Sequence, residues 1–234
     1  PVSLFGAGNF LLFIFGIQKT TANATAIIYT ISPLLAAILS HKAIAERSSR
    51  AKWLGILIGF IGVLLILVLP LIEQGSVPSG DAFGNLLIFG AVFLWTFYNV
   101  GSRYLVINKH YSSITIASTM IGFSFILFLL LTLVTSGTRF VAPLAVGNNA
   151  LLLIFLALFV TVLTFLLHQY VIKHTSATTA VLTNYLIPVF AFGIDAILLG
   201  ETVTGGFMVG SIFVFAGVFI ATGANVFRQI RLRS

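Results

Sequence analysis

Eight long apolar runs limit this chain more than any other feature of its sequence. They are Val2–Ile17, Ala22–Ile44, Ala51–Ile72, Phe83–Val106, Ile114–Val134, Ala150–Ile172, Ala177–Leu199 and Gly205–Val226. Seven of them hold 21 to 24 residues, enough for a helix to cross about 30 Å of hydrocarbon at 1.5 Å per residue. The first has 16, which suits a span clipped at its start. None alternates polar and apolar residues as a barrel strand does. Only 7% of the 234 residues are charged, against about 25% in a soluble domain. Such a chain cannot build a polar exterior, so it belongs in lipid, where helices satisfy their own backbone groups. The expected fold is an all-α integral membrane protein with eight transmembrane helices.

The linkers are short and polar. Glu73–Ala82 and Ser136–Asn149 are rich in turn residues, and neither could hold a soluble domain. The charges sort by side. If the spans alternate, Lys42, Arg47, Arg50, Lys52, Arg103, Lys109, Lys173, Arg228, Arg231 and Arg233 share one face, and only Lys19 and Arg139 face the other. Basic residues collect on the cytoplasmic side, which places the C-terminus there, most simply in a cell (inner) membrane. The net charge of +7 therefore reads as a topology signal, and no nucleic-acid partner is expected. The absence of cysteine excludes disulfides and thiolate chemistry.

The chain repeats itself. An ungapped offset of 155 residues pairs Thr20 with Thr175, Ala22 with Ala177, Pro33 with Pro188 and Ala36 with Ala191. It also pairs Glu46 with Glu201, Gly55 with Gly210, Phe60 with Phe215 and Gly62 with Gly217. Proline, glutamate and glycine are uncommon in apolar helices, so shared hydrophobicity alone does not account for the match. The second span corresponds to the seventh. Five spans separate equivalent points, and an odd number inverts the second copy in the membrane, as in many secondary transporters. A five-span repeat implies ten spans in all. Residues 1–72 then hold the last three spans of the first copy and residues 83–227 the complete second copy, with two N-terminal spans expected to be missing.

These motifs carry a family resemblance. SP…ERSSRAKWLGILIGFIGVLLI, repeated as IP…GETVTGGFMVGSIFVFAGVFIA, together with GNLLIFGAVFLWTFYNVGSR over Gly84–Arg103, resembles the EamA-type drug/metabolite transporters. The resemblance covers nearly the whole chain. It implies a ten-span bundle of two inverted halves with both termini cytoplasmic, moving amino acids, metabolites or drugs. The chain departs from the pattern in having Ala45-Glu46 where the second copy has Gly200-Glu201, and in lacking the first two spans.

Candidate site residues follow from polarity inside the spans. Pro33 and Pro188 lie mid-helix at equivalent positions, each freeing the carbonyl four residues earlier, at Tyr29 and Asn184. Either the kinks serve packing, or they open a cavity near the midplane. Tyr29, Thr30, Asn184 and Tyr185 beside them favour the cavity. Trp95, Tyr98, Asn99 and Ser102 form one helical stripe, and Thr161, Thr164 and His168 another. With Asn9 and with Thr115, Ser118 and Thr119 of the fifth span, these should face the bundle interior, because polar groups facing lipid cost free energy. Asp195 is the one acid well inside a span and, with His168, a candidate proton carrier. Its burial in the charged form costs roughly 2.5–3.5 kcal/mol on insertion scales. Glu46 and Glu201 read as helix-end residues. Gly55-x-x-x-Gly59 and Gly206-x-x-x-Gly210 allow close helix contact, within the chain or in a homodimer.

Enzymatic signatures are lacking. There is no Walker A loop and no HExxH, and Ser49-x-x-Lys52 stands without the other motifs of penicillin-binding proteins. No cofactor, metal site or catalytic residue is expected. The reading is a secondary transporter of a small neutral or zwitterionic metabolite, amino acid or drug, working by alternating access. The alternatives are a membrane-embedded enzyme acting on lipid and a non-transporting scaffold. Within transport, a sugar-phosphate or nucleotide-sugar antiporter should bring Lys or Arg to mid-membrane, and no span does so.

Overall fold

The protein was analysed as a computed structural model, which describes residues 2–46, 48–73, 81–136, 149–198 and 205–231, without the side chains of Pro70, Glu73, Asp195 and residues 224–231. Every apolar run is helical over most of its described length, and no strand occurs among the described residues. The helices are α1 (Val2–Ile17), α2 (Ala22–Tyr29), α3 (Ser32–Ile44), α4 (Arg50–Glu73), α5 (Ala82–Lys109), α6 (Ser113–Ser136), α7 (Asn149–Phe155), α8 (Thr164–His174), α9 (Ala177–Leu182), α10 (Leu186–Leu198) and α11 (Gly205–Arg231). A π-helical segment, Leu156–Leu163, joins α7 to α8, and a 3₁₀ segment, Thr183–Tyr185, joins α9 to α10. Among the described residues seven helical stretches are long and apolar enough to cross a membrane, and α1 is a shorter apolar helix.

Two spans are broken where the sequence places proline. The second divides into α2 and α3 just before Pro33. The Tyr29 carbonyl, released by the missing N–H, accepts a bond from Ser32 Oγ at 2.7 Å. The seventh divides at the 3₁₀ turn, where the Leu186 N–H reaches the Asn184 and Thr183 carbonyls. The starts of these spans also correspond. Thr21 caps α2 by accepting from Ala24 N (3.1 Å), and Ser176 caps α9 by accepting from Thr179 N (3.0 Å). Both donors sit three residues beyond the cap.

The most extensive helix contact is between α4 and α11, with α1 against α5 next. The α4–α11 pair is antiparallel and nearly bare of side chains. A Cβ on Gly55 would lie 2.5 Å from the Gly217 carbonyl oxygen, and one on Gly62 would lie 2.7 Å from that of Gly210. Under the 155-residue offset Gly55 corresponds to Gly210 and Gly62 to Gly217, so these two contacts exchange with one another. The glycine stripes are therefore occupied within the chain. Ile56, Val63, Ile66, Leu182, Tyr185, Val189 and Val214 close one core around this pair, and Tyr98, Ile116 and Met120 centre another between α1, α5 and α6.

One polar stripe faces away from the interior, contrary to expectation. In α6 the buried face is Ile116, Ala117 and Met120, while Thr115, Ser118 and Thr119 are exposed. The Ser118 and Thr119 hydroxyls bond the Thr115 carbonyl at 3.2 and 2.8 Å. Hydroxyls satisfied by their own helix need no inward partner.

Candidate functional site

The broken spans line a cavity of about 550 Å³. α1 contributes Asn9, Phe10, Phe13 and Ile17. α2 contributes Ala22, Thr25, Ala26 and Tyr29, followed by Thr30. Val63 and Leu67 of α4, Trp95 of α5 and Phe165 of α8 form the walls, and Asn184, Tyr185, Ile187 and Pro188 complete them. All these positions lie at mid-span or toward the end carrying Ile17 and Ala22. No lining residue comes from the opposite end, where Lys52, Arg103 and Ser176 lie.

Few polar atoms face this space, and they are placed by packing. Asn9 Nδ2 donates to Tyr29 Oη at 2.9 Å and to the Ala91 carbonyl at 2.8 Å. This buried amide ties α1, α2 and α5 together and fixes the phenol. Thr25 Oγ1 and Tyr185 Oη are buried without a hydrogen-bond partner. An unmet buried hydroxyl costs about 1–3 kcal/mol, so both lining residues keep unused bonding capacity beside the cavity. Gly59 makes room for Tyr185, since a Cβ there would lie 2.7 Å from the Tyr185 ring.

Behind the Trp95 wall lies a polar layer that does not line the cavity. His168 Nε2 and Asn99 Oδ1 are 2.6 Å apart, and Asn99 Nδ2 donates to the Trp95 carbonyl at 2.7 Å. Trp95 stacks with Tyr98 and with His168, with ring centroids at 5.5 and 5.2 Å. Gln169 Nε2 donates to Tyr98 Oη (2.7 Å) and Ser102 Oγ (3.2 Å). This network holds the indole from behind and locks α5 to α8.

The sequence-derived candidates therefore divide. Asn9, Tyr29, Thr30, Trp95, Asn184, Tyr185 and Pro188 surround the cavity. Tyr98, Asn99 and His168 stand one layer back. Thr164 is exposed, and its hydroxyl turns to the Phe159 carbonyl five residues earlier. The π-helical winding of 156–163 shifts the phase of Thr161 against Thr164 and His168, which stay one turn apart on α8. Pro33 is buried in the start of α3 and does not reach the cavity. The Asp195 side chain and residue Glu201 lie outside the described set. Thr25 was missed, although it precedes Tyr29 by four residues on the same helix face. Phe10 and Phe165, in edge contact at 5.7 Å, were missed because Phe is ordinary in any apolar span.

A second cleft, about 420 Å³, lies to the side between α1, α6 and the π-helical segment. It is walled by Phe10, Phe125 and Phe128 and edged by Thr132 and Thr161.

A charged cluster at the basic end was also missed. Lys52 is only 5% exposed, and its Nζ donates to Ser176 Oγ at 2.7 Å. An Arg103 Nη atom donates to the Ile172 and Lys173 carbonyls, each at 2.8 Å, in the last turn of α8, where a cation suits the helix dipole. Glu46 is set beside them by a left-handed turn at Ala45 (φ 53°). Burial pushes its carboxyl above the ordinary value, and the charges of Lys52 and Arg103 oppose that rise.

The profile of the EamA-like transporter family matches residues 1–68 and 82–223. The chain is 28% identical to the uncharacterized transporter YetK of Bacillus subtilis (strain 168) over 212 residues, covering 90% of this chain and 62% of the relative. It is 29% identical to the uncharacterized transporter YyaM of the same organism, covering 95% and 70%. A probable amino-acid metabolite efflux pump of Salmonella typhimurium is 26% identical, with 78% and 60% covered. The chain thus spans about two thirds of the length of these relatives. A solved crystal structure shares the fold with a TM-score of 0.75, covering 95% of this chain and 75% of its own at 18% identity.

Proposed function

The chain belongs to the EamA-like transporter family, and we propose that it is the main part of a secondary transporter that holds a small neutral or zwitterionic solute in the central cavity. The observation that carries this reading is the cavity itself. It sits at mid-span, between two spans broken at equivalent prolines, and among the described residues its lining includes no Lys, Arg, Asp or Glu. Apolar walls with a few fixed polar groups suit a small, partly apolar solute. A phosphate would require a cation that these walls lack. The relative named as an amino-acid metabolite efflux pump agrees with an amino acid or a related metabolite.

Alternating access follows from two inverted halves, residues 1–72 and 83–227. The exchangeable Gly55–Gly217 and Gly62–Gly210 contacts support that symmetry, because an antiparallel pair related by a two-fold axis in the membrane plane makes every contact twice. The basic end faces the cytoplasm by the ten-to-two distribution of Lys and Arg, in the cell membrane.

Asn184→Ala and Thr25→Val are expected to raise the half-saturation of transport by roughly two- to tenfold, the equivalent of about 0.5–1.5 kcal/mol for one hydrogen bond. Folding should stay intact, since neither side chain is needed to bridge helices. Flux of labelled neutral amino acids in proteoliposomes measures this. Unchanged half-saturation in both variants would remove these residues, and this cavity, from solute binding.

A further inference from the structure

The 155-residue offset makes a comparison possible between the two ends of the molecule. It maps α9 onto the start of α2, and α3 onto α10. The packing of α3 against α9 at the basic end therefore has a counterpart, α2 against α10, at the other end. The two are not alike. At the basic end α3 and α9 are in contact, and Ala36, Ala37, Ala177, Ala180 and Val181 are sealed from solvent. At the opposite end the cavity lies between α2 and α10, with Ala22, Thr25 and Ala26 on one side and Ile187 and Pro188 on the other.

The chemistry of the two ends differs as well. Lys52 of α4 reaches the Ser176 hydroxyl that caps α9. Arg103 of α5 reaches the carbonyls that end α8. Glu46 supplies the opposite charge beside both. Four helices, α4, α5, α8 and α9, are thereby tied at one point. The offset places Phe207 where Lys52 stands and Thr21 where Ser176 stands, so the other end has no cation at the matching position.

We propose that Lys52, Arg103, Glu46 and Ser176 form an electrostatic latch that holds the basic end shut, and that the described conformation is the one open toward the Ile17–Ala22 end. The inference rests on the transporter reading above. A desolvated ammonium beside a half-buried guanidinium suits a releasable closure. Their burial carries a desolvation penalty that offsets much of the attraction, and water reaching the opened end restores their hydration. The opposite end, lacking the cation, closes through apolar contact. Removing the latch therefore shifts the balance toward the conformation open at the basic end.

The test uses the cysteine-free background. Thr178→Cys, fully buried in α9, reports opening at the basic end, and Thr25→Cys reports the cavity. Maleimide labelling rates are measured in nanodiscs, where both ends meet solvent. With Lys52→Met the rate at Thr178→Cys is expected to rise about fivefold or more and the rate at Thr25→Cys to fall. Lys52→Arg should keep both at parental values. Lys52→Gln provides a second neutral variant if Lys52→Met does not give a monodisperse, fully helical protein. Unchanged labelling at Thr178→Cys in a folded neutral variant overturns the latch. A rise there without a fall at Thr25→Cys leaves the latch standing as a local seal and contradicts the alternating-access reading on which its role depends.

Discussion

Gly217→Val is expected to force α4 and α11 apart and to lower stability by about 3 kcal/mol, the upper range for overpacking a tight contact. A Cβ at this position would lie 2.4 Å from the backbone nitrogen of Gly59 and 2.6 Å from the carbonyl oxygen of Gly55. Neither atom can move without its helix. Inside a membrane the loss is not repaid by solvent, because lipid tails are as apolar as the side chains and helix association depends on close packing. The pair is also the most extensive helix contact among the described residues, so no neighbouring contact replaces it. Gly122→Ala is the control, since a Cβ at Gly122 meets nothing within 4 Å. Denaturant unfolding in micelles should separate the two variants clearly. Equal stability would mean that α4 and α11 do not meet as described.

Ala26→Trp is expected to reduce transport by more than about tenfold while leaving the helical fold in place. Ala26 lies on α2, facing a cavity of about 550 Å³ that Thr25, Tyr29, Asn184 and Tyr185 also line. An indole projecting from this position occupies the space where a solute would sit. The expected signature is loss of flux together with retained helix content and a near-parental unfolding midpoint. Ala22→Trp, at the Ile17 end of the same cavity, should give a partial loss. Parental flux in a folded Ala26→Trp protein would place the solute path elsewhere.

Much of this arrangement could be read in the residues beforehand, for reasons that also explain the failures. Long apolar runs mark helices because lipid allows little else, and every expected span is helical. Pro33 and Pro188 marked the two breaks because proline removes a donor regardless of context. Asn9, Tyr29 and Asn184 stood out because an amide or phenol inside a span needs a partner or a wet surface. The failures arose where phase or context decides. The Thr161–Thr164–His168 stripe assumes 3.6 residues per turn, and the π-helical segment at 156–163 breaks that count between Thr161 and Thr164. The Thr164 hydroxyl is met by the Phe159 carbonyl of its own helix. Thr115, Ser118 and Thr119 were placed inward although their hydroxyls bond within the helix. Lys52 and Arg103 count in the sequence only as charges of the basic face. Only the fold shows that the Lys52 ammonium is buried against the cap of α9, because Ser176 lies 124 residues away in the chain.

The central claim is that the solute rests in the cavity between the two proline-broken spans. Substrate protection tests it most directly. Thr25→Cys places a thiol in that cavity, and Thr132→Cys places one in the lateral cleft between α1 and α6. Labelling of each is followed while a transported neutral amino acid is titrated. The account predicts that labelling of Thr25→Cys slows with a half-effect concentration equal to the half-saturation of flux, and that Thr132→Cys reacts at a constant rate. A constant rate at Thr25→Cys under saturating solute, or equal protection at both positions, would contradict it.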